Sequence, residues 1–248
     1  MESIIDELIF RSSSVGGLCA KSGLGVTGEK LAIQTYLEVR YGRRKEFTSK
    51  YTQKGILCEE QAIKTLSAIN NKNYVKNEIR LANEFITGEC DIDSESEDLI
   101  IDVKNNWDIF TFNESKVSKN LNYEIQGQCY MELYNRNDFQ LVNMLEDAPD
   151  SIILNALEKE SYKYNGETPE WIEVEIIKSM VYDKNNFERF INLRGLGGDE
   201  LTDKCIDRFI EVPQSERINI KYYERNAVQY EFIVSRIRDA RNFLKKNF

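Results

Sequence analysis

Histidine is absent from this 248-residue chain. Without an imidazole there is no Ser-His-Asp triad, no Cys-His dyad and no histidine-held catalytic metal of the kind most zinc hydrolases use. Any hydrolytic chemistry must rest on carboxylates, lysine and an oxygen-bound metal. No apolar run reaches about 18 residues, so no membrane span and no membrane partner is expected. The opening Met1-Glu2-Ser3-Ile4-Ile5-Asp6-Glu7 is acidic and lacks the apolar centre of a signal peptide, so the expected location is the cytoplasm. The five cysteines, Cys19, Cys58, Cys90, Cys129 and Cys205, are far apart and form no C-x-x-C pair. That leaves no local ligand pair for a zinc ribbon or an iron–sulfur cluster and reads as reduced, buried thiols. Internal repeats and low-complexity tracts are also missing.

What is present is an ordinary globular composition, 41% hydrophobic and 30% charged. The length suits a single domain over 1–248. Its core is expected at about 49–146, between an N-terminal helical part (1–48) and a mostly helical C-terminal part (147–248). The net charge of −9 is unevenly distributed. Glu84 to Asp98 holds seven acids and no base, whereas Arg40 to Lys54 holds six bases (Arg40, Arg43, Arg44, Lys45, Lys50, Lys54) and one acid, Glu46. Tyr41, Phe47 and Tyr51 are interleaved with those bases. That pattern fits a phosphate-contacting surface beside an acidic pit, and equally a solvated loop before a helix.

The spacing predicts helices over Thr27–Tyr41, with Leu31, Thr35 and Leu37 inward, and over Ser49–Asn70, with Ile56, Ile63, Leu66 and Ile69 on the apolar stripe. Tyr74–Arg80, Phe85–Asp93 and Leu99–Lys104 read as a strand meander. A loop over Trp107–Ser118, a helix over Tyr123–Tyr134 and a strand over Phe139–Leu145 follow. Helices are then expected at Ser151–Tyr162 and over Trp171–Leu193 with a break near Asp183–Asn186. A glycine joint at Gly195–Gly198, a late strand at Cys205–Val212 and an amphipathic helix over Asn226–Lys246 complete the chain. The order implies an α/β fold with a central mixed β-sheet flanked by helices.

The richest stretch is Gly88-Glu89-Cys90-Asp91 followed by Leu99-Ile100-Ile101-Asp102-Val103-Lys104. Asp102 and Lys104 are two apart and share one face of a strand. Asp91 lies eleven positions before Asp102, enough for a strand end, a turn and a return. Two carboxylates at a strand end beside an ammonium make a Mg²⁺ site, with the Val103 carbonyl as a further hard ligand. Glu59 in the preceding helix can point toward the strand ends, although Glu60 beside it leaves the choice of acid open. Tyr123, Gln126 and Tyr130 share a helix face in Tyr123-x-x-Gln126-x-Gln128-x-Tyr130.

Glu59, Gly88-x-x-Asp91, Asp102-x-Lys104 and Tyr123-x-x-Gln126-x-Gln128 stand in an order that resembles the PD-(D/E)xK nuclease superfamily, in particular the lambda-exonuclease (YqaJ-type) viral recombinases. The resemblance covers about residues 9–146 by motif. It departs from the family where Asp102 stands for the frequent Glu and Cys90 for the Pro. It implies a restriction-endonuclease-like core and a Mg²⁺-dependent exonuclease (Mn²⁺ substituting) acting 5′ to 3′ on linear duplex DNA and leaving 3′ tails for recombination. By position, Asp91, Asp102 and the Val103 carbonyl would be metal ligands, and Glu59 would hold a second metal or its waters. Lys104 would position or activate the water, and Gln126 would support the nucleophile and the scissile phosphate. Arg11 and Ser13 fall where the family receives the terminal 5′-phosphate, with Ser12 and Ser14 as equal candidates by eye. Arg43, Arg44, Lys45, Tyr123 and Gln128 complete the expected DNA contacts. Duplex DNA ends, a single-strand annealing protein and a ring-shaped homotrimer are the implied partners, in the host cytoplasm if the gene is viral. The alternatives are an endonuclease or another DNA-processing nuclease of the superfamily, and a catalytically silent DNA-binding module.

Overall fold

The computed structural model describes residues 2–45 and 50–248. Glu46, Phe47 and Ser49 of the basic–aromatic run and helix start lie outside the described residues, as do the side chains of Lys50 and Tyr51. The chain begins with a short helix, α1 (Glu2–Asp6), and a two-residue strand, β1 (Phe10–Arg11). Helix α2 (Gly25–Tyr41) ends on Gly42, whose φ of 60° is the left-handed cap that glycine adopts at no steric cost. Helix α3 runs over Lys50–Asn70. Short strands β2 (Leu81–Ala82), β3 (Ile86–Gly88) and β4 (Ile92–Ser94) precede the long strand β5 (Leu99–Asn105).

Helices α4 (Ile109–Val117) and α5 (Leu121–Tyr134) carry the chain over to β6 (Asp138–Met144). Then come α6 (Asp150–Ser161), α7 (Glu170–Met180), α8 (Lys184–Arg194), α9 (Glu200–Asp207), strand β7 (Ile218–Glu224) and helix α10 (Ala227–Asn247).

Strands β4-β5-β6-β7 form a mixed sheet in that order, with β5 and β6 parallel and the outer pairs antiparallel. The parallel pair requires the α4–α5 crossover. One face of the sheet packs Ile101, Val103, Val142 and Met144 against Ala62, Ile63 and Leu66 of α3. The other packs Ile100, Phe139 and Leu141 against Tyr130, Met131 and Tyr134 of α5. Gly127 makes this second contact possible: a Cβ there would stand 2.2 Å from the Phe139 ring. The small sheet β1-β3-β2 sits over a separate core that joins Leu8, Phe10 and Leu18 to Tyr36 of α2 and to Ile233, Ile237 and Leu244 of α10. Helices α6–α9 enclose their own core, where the Phe187 and Phe209 rings stack at 4.0 Å. The α/β architecture with a mixed sheet between helices is as expected.

Four local expectations are corrected. Tyr74–Arg80 has no strand partner; Asn77 instead ties it to the site, its N–H donating to the Asp91 carbonyl (2.8 Å) and its amide to the Cys90 carbonyl (3.0 Å). Phe85–Asp93 is not one strand, because Gly88–Asp91 steps from the small sheet to the large one. Trp107–Ser118 contains α4, started by a reciprocal capping box between Asp108 and Thr111. Cys205–Val212 is the end of α9 and an extended exit, and the late strand is β7. On the helices, Ala32 and Tyr36, not Leu37, face inward from α2, while Ile63 and Leu66 are buried on α3 but Ile56 is 72% exposed.

Candidate active site

The step from β3 to β4 places Asp91 against the free edge of β5. Gly88 opens that step. A Cβ at Gly88 would lie 2.6 Å from both Ser12 Oγ and the Tyr130 ring, so only glycine lets β3 pass so close to β1 and α5. Beyond it, Asp91 Oδ2 accepts a 2.6 Å hydrogen bond from the Val103 N–H. In an extended strand the N–H and C=O of one residue leave on the same edge, so the Val103 carbonyl faces Asp91 too.

Asp102 and Lys104 point to the α5 face. Asp102 is 2% exposed. Its Oδ2 lies 2.5 Å from Lys104 Nζ, yet it receives no well-directed hydrogen bond. Its Oδ1 accepts a long one from Gln126 Nε2 (3.4 Å), and that same amide nitrogen donates to Tyr130 Oη at 2.8 Å. The Tyr123 ring lies beside Lys104, with its centroid 5.4 Å from Nζ.

These groups are electrostatically strained. Burial, and then the neighbouring Asp102 carboxylate, push Asp91 up to about 7, against the opposing pull of Lys104 and of the Val103 N–H. Burial by itself would lower Lys104, but Asp102 and Asp91 outweigh it and hold the ammonium above the ordinary lysine value. Burial raises Tyr130 well beyond its usual range, so its hydroxyl stays neutral. Lys104 is therefore ion-paired with Asp102 and also feels the Asp91 carboxylate, one ammonium set against two acids. Among the described residues no group of three or more His, Cys, Asp or Glu side chains converges on a metal position. The donor set is two carboxylates, a backbone carbonyl and room for water. That suits Mg²⁺, which needs one or two carboxylates and keeps much of its hydration.

A groove of about 740 Å³ opens beside the pair, lined among others by Glu59, Asp91, Lys104, Tyr123 and Asn143. Glu59 reaches it from α3, ion-paired with Lys76 at 2.9 Å and near enough to Asp91 to add to the repulsion on that carboxylate. A second hollow, of about 420 Å³, lies on the β3 side and contains Arg11, Ser13, Arg44, Arg80 and Thr87. The structure distinguishes the three serines. Ser12 Oγ donates to the Thr87 carbonyl and Ser14 Oγ to the Arg11 carbonyl, whereas Ser13 is exposed in the hollow. Arg11 is half-exposed and salt-bridged to Glu38 at 2.6 Å.

Arg43, Arg44 and Lys45 are exposed past the end of α2. Gln128 is not brought to the groove. It is buried, its Nε2 donating to the Glu224 carbonyl and its Oε1 accepting from Asn226 N (both 2.8 Å), which clips β7 to α10. All five cysteines are free and buried, with burial pushing the Cys90 thiol up to about 12. Sequence reasoning missed Asn143 and Lys221 in the groove, since neither belongs to a motif.

This sheet, with its acids at the exit of one strand and helices on both faces, is the restriction-endonuclease-like fold of the PD-(D/E)xK nucleases. Solved structures of exonucleases are similar to this chain over nearly its whole length. It is similar to the crystal structure of a phage-related exonuclease from Haemophilus somnus 129PT, with 26% identity, a TM-score of 0.66, and 96% of this chain and 93% of that one covered. An alkaline exonuclease (LHK-Exo) from Laribacter hongkongensis aligns over 100% of this chain and 97% of its own, at 11% identity and a TM-score of 0.57. The same enzyme in complex with dAMP aligns at 12% identity and a TM-score of 0.55, covering 99% and 89%. No family model matches the sequence, and no curated protein does.

Proposed function

We propose that this protein is a Mg²⁺-dependent exonuclease that hydrolyses one strand of linear duplex DNA from its 5′ end and leaves 3′ single-stranded tails for recombination. The observation that carries the reading is the pairing of Asp91 and Asp102 around a single ammonium at the wall of an open groove. Asp91, Asp102 and the Val103 carbonyl would hold the ion. When bound, Mg²⁺ supplies Lewis-acid polarisation of the phosphate and a lower pKa for its water.

The chain's own groups do the rest. Lys104 stays protonated near neutral pH, so it acts as a fixed positive charge for the developing oxyanion rather than as a base. Gln126, held by Tyr130 and facing Asp102, orients the water or a phosphate oxygen. Glu59 would reach a second ion or its waters after exchanging Lys76. Arg11 and Ser13 offer a guanidinium and a hydroxyl to a terminal 5′-phosphate, which must compete with Glu38 for Arg11. Arg43, Arg44 and Lys45 extend that positive surface toward the duplex.

Digestion of linear duplex labelled separately at each 5′ and 3′ end, with Mg²⁺ and with EDTA, tests the reading. Release of 5′ label first, only with the metal and only from linear DNA, is the expected result. Cutting of closed circles would instead make it an endonuclease, and metal-independent or absent cleavage would reject the mechanism.

A further inference from the structure

The sheet register places a second polar feature beside the acid pair. Asp102 stands opposite Leu141 on β6, which stands opposite Lys221 on β7; Lys104 is followed in the same way by Asn143 and Asn219. Residues directly opposite in neighbouring strands project to the same face. The floor of the groove therefore continues from the acid pair into Asn143 and Lys221, with Asn219 the next position of the row on β7. Two strand spacings, about 10 Å, separate Lys221 from Asp102.

Each member of this row has donor capacity left over. Lys221 Nζ donates to the Ser118 carbonyl in the α4–α5 linker, a neutral oxygen that leaves its charge unmatched. Of the groove's other acids, Glu59 is paired with Lys76, and Glu114 lies on α4 without an ion pair to Lys221. Asn219 Nδ2 is buried with no acceptor, a state that costs about 1–3 kcal/mol unless something fills it. Asn143 is 3% exposed and reaches the groove. A positive charge on the groove floor, with an orphaned amide donor two residues before it on the same strand face, calls for an anion.

We infer that Lys221, with Asn219 and Asn143, forms a phosphate subsite for the nucleic-acid strand, next to the scissile position and on the side away from the Arg11 hollow. This rests on the nuclease reading above. The acid pair then stands between two phosphate-binding places, Arg11 and Ser13 on the β3 side and Lys221 on the β7 side. The strand end lies at the first and the retained polymer at the second. The tether to Ser118 holds the ammonium over the groove before any ligand arrives.

The test is binding of a fluorescent 5′-phosphorylated duplex in EDTA, followed by anisotropy over a salt series, so that no cleavage is needed. Lys221→Met should weaken binding about tenfold, as loss of a charge-assisted hydrogen bond does. It should also reduce the slope of log K against log salt by about 0.9. Lys221→Arg should restore both, and Asn219→Asp, which places a carboxylate in the row, should weaken binding further while melting temperatures stay near wild type. With Mg²⁺, Lys221→Met should raise KM on duplex DNA with kcat within about twofold, and leave hydrolysis of bis(p-nitrophenyl) phosphate, which has no neighbouring phosphate, unchanged. Weaker binding with an unchanged salt slope would mean that only the Ser118 tether matters and would overturn the subsite, as would unchanged affinity. A wild-type protein that binds through Lys221 but never cleaves would uphold the subsite and reject the nuclease reading.

Discussion

Asp91 should make the metal-free protein less stable than it could be. Its folded-state value of about 7 lies above the ordinary 3.8, so between those pH values the folded chain holds a proton that the unfolded chain has lost. Stability therefore falls as pH rises through this window. The cost is absent below about pH 4 and fully present above about pH 7. Each pH unit of that shift is worth about 1.4 kcal/mol, which sets a ceiling of about 4 kcal/mol. Water at the groove mouth screens part of the repulsion, and about half the ceiling is the working expectation.

Asp91→Asn removes the charge while its side-chain carbonyl can still accept from the Val103 N–H. In EDTA at pH 8 the variant should melt roughly 4–8 °C above wild type, since about 2 kcal/mol moves the midpoint of a chain this size by that much. At pH 4 the gap should close. Divalent metal should reverse the order, because wild type gains about 2.7 kcal/mol at a hundredfold excess over Kd and the variant does not. Differential scanning fluorimetry over pH, with and without Mg²⁺, reads all three. A variant that is no more stable at pH 8, or a gap that ignores pH, would refute the account of two carboxylates forced together.

Lys104→Gln should lower kcat by about 10²–10³ with little change in KM, the signature of a charge used in the transition state; steady-state kinetics on linear duplex checks it. Arg11→Ala should impair digestion of 5′-phosphorylated ends far more than of 5′-hydroxyl ends, and equal loss on both would remove Arg11 from end recognition. Lys54, 1% exposed, donates to the Asn106 and Trp107 carbonyls at 2.9 and 3.0 Å just past β5. Lys54→Met takes a donor from two carbonyls and should cost about 2 kcal/mol or more in urea unfolding. Gly127→Ala, which drives a Cβ into the Phe139 ring, should cost about 1–3 kcal/mol by the same assay.

Chemistry that needs residue types at short spacing was legible in one dimension. Asp102-x-Lys104 shares a strand face because side chains alternate, and α5 presents Gln126 and Tyr130 together because they are one turn apart. Apolar stripes of local origin, such as Ile233, Ile237, Ala240 and Leu244, were also readable, as was the absence of histidine that confines hydrolysis to carboxylates, lysine and metal. Choices between equivalent neighbours were not. Ser13 is set apart because carbonyls take the Ser12 and Ser14 hydroxyls while Ser13 faces the hollow, and Gln128 leaves the groove only because Glu224 and Asn226, nearly a hundred residues away, claim its amide.

The split of Phe85–Asp93 between two sheets depends on partners that local β-propensity does not encode. The row from Lys104 through Asn143 to Asn219 exists only as strand register, which joins residues 104, 143 and 219 through hydrogen bonds between distant segments. Local pattern settles what a residue can do and which way its own element turns it. Only the packed sheet settles which remote groups share its field, because electrostatic and hydrogen-bond energies depend on ångströms in space and not on separation along the chain.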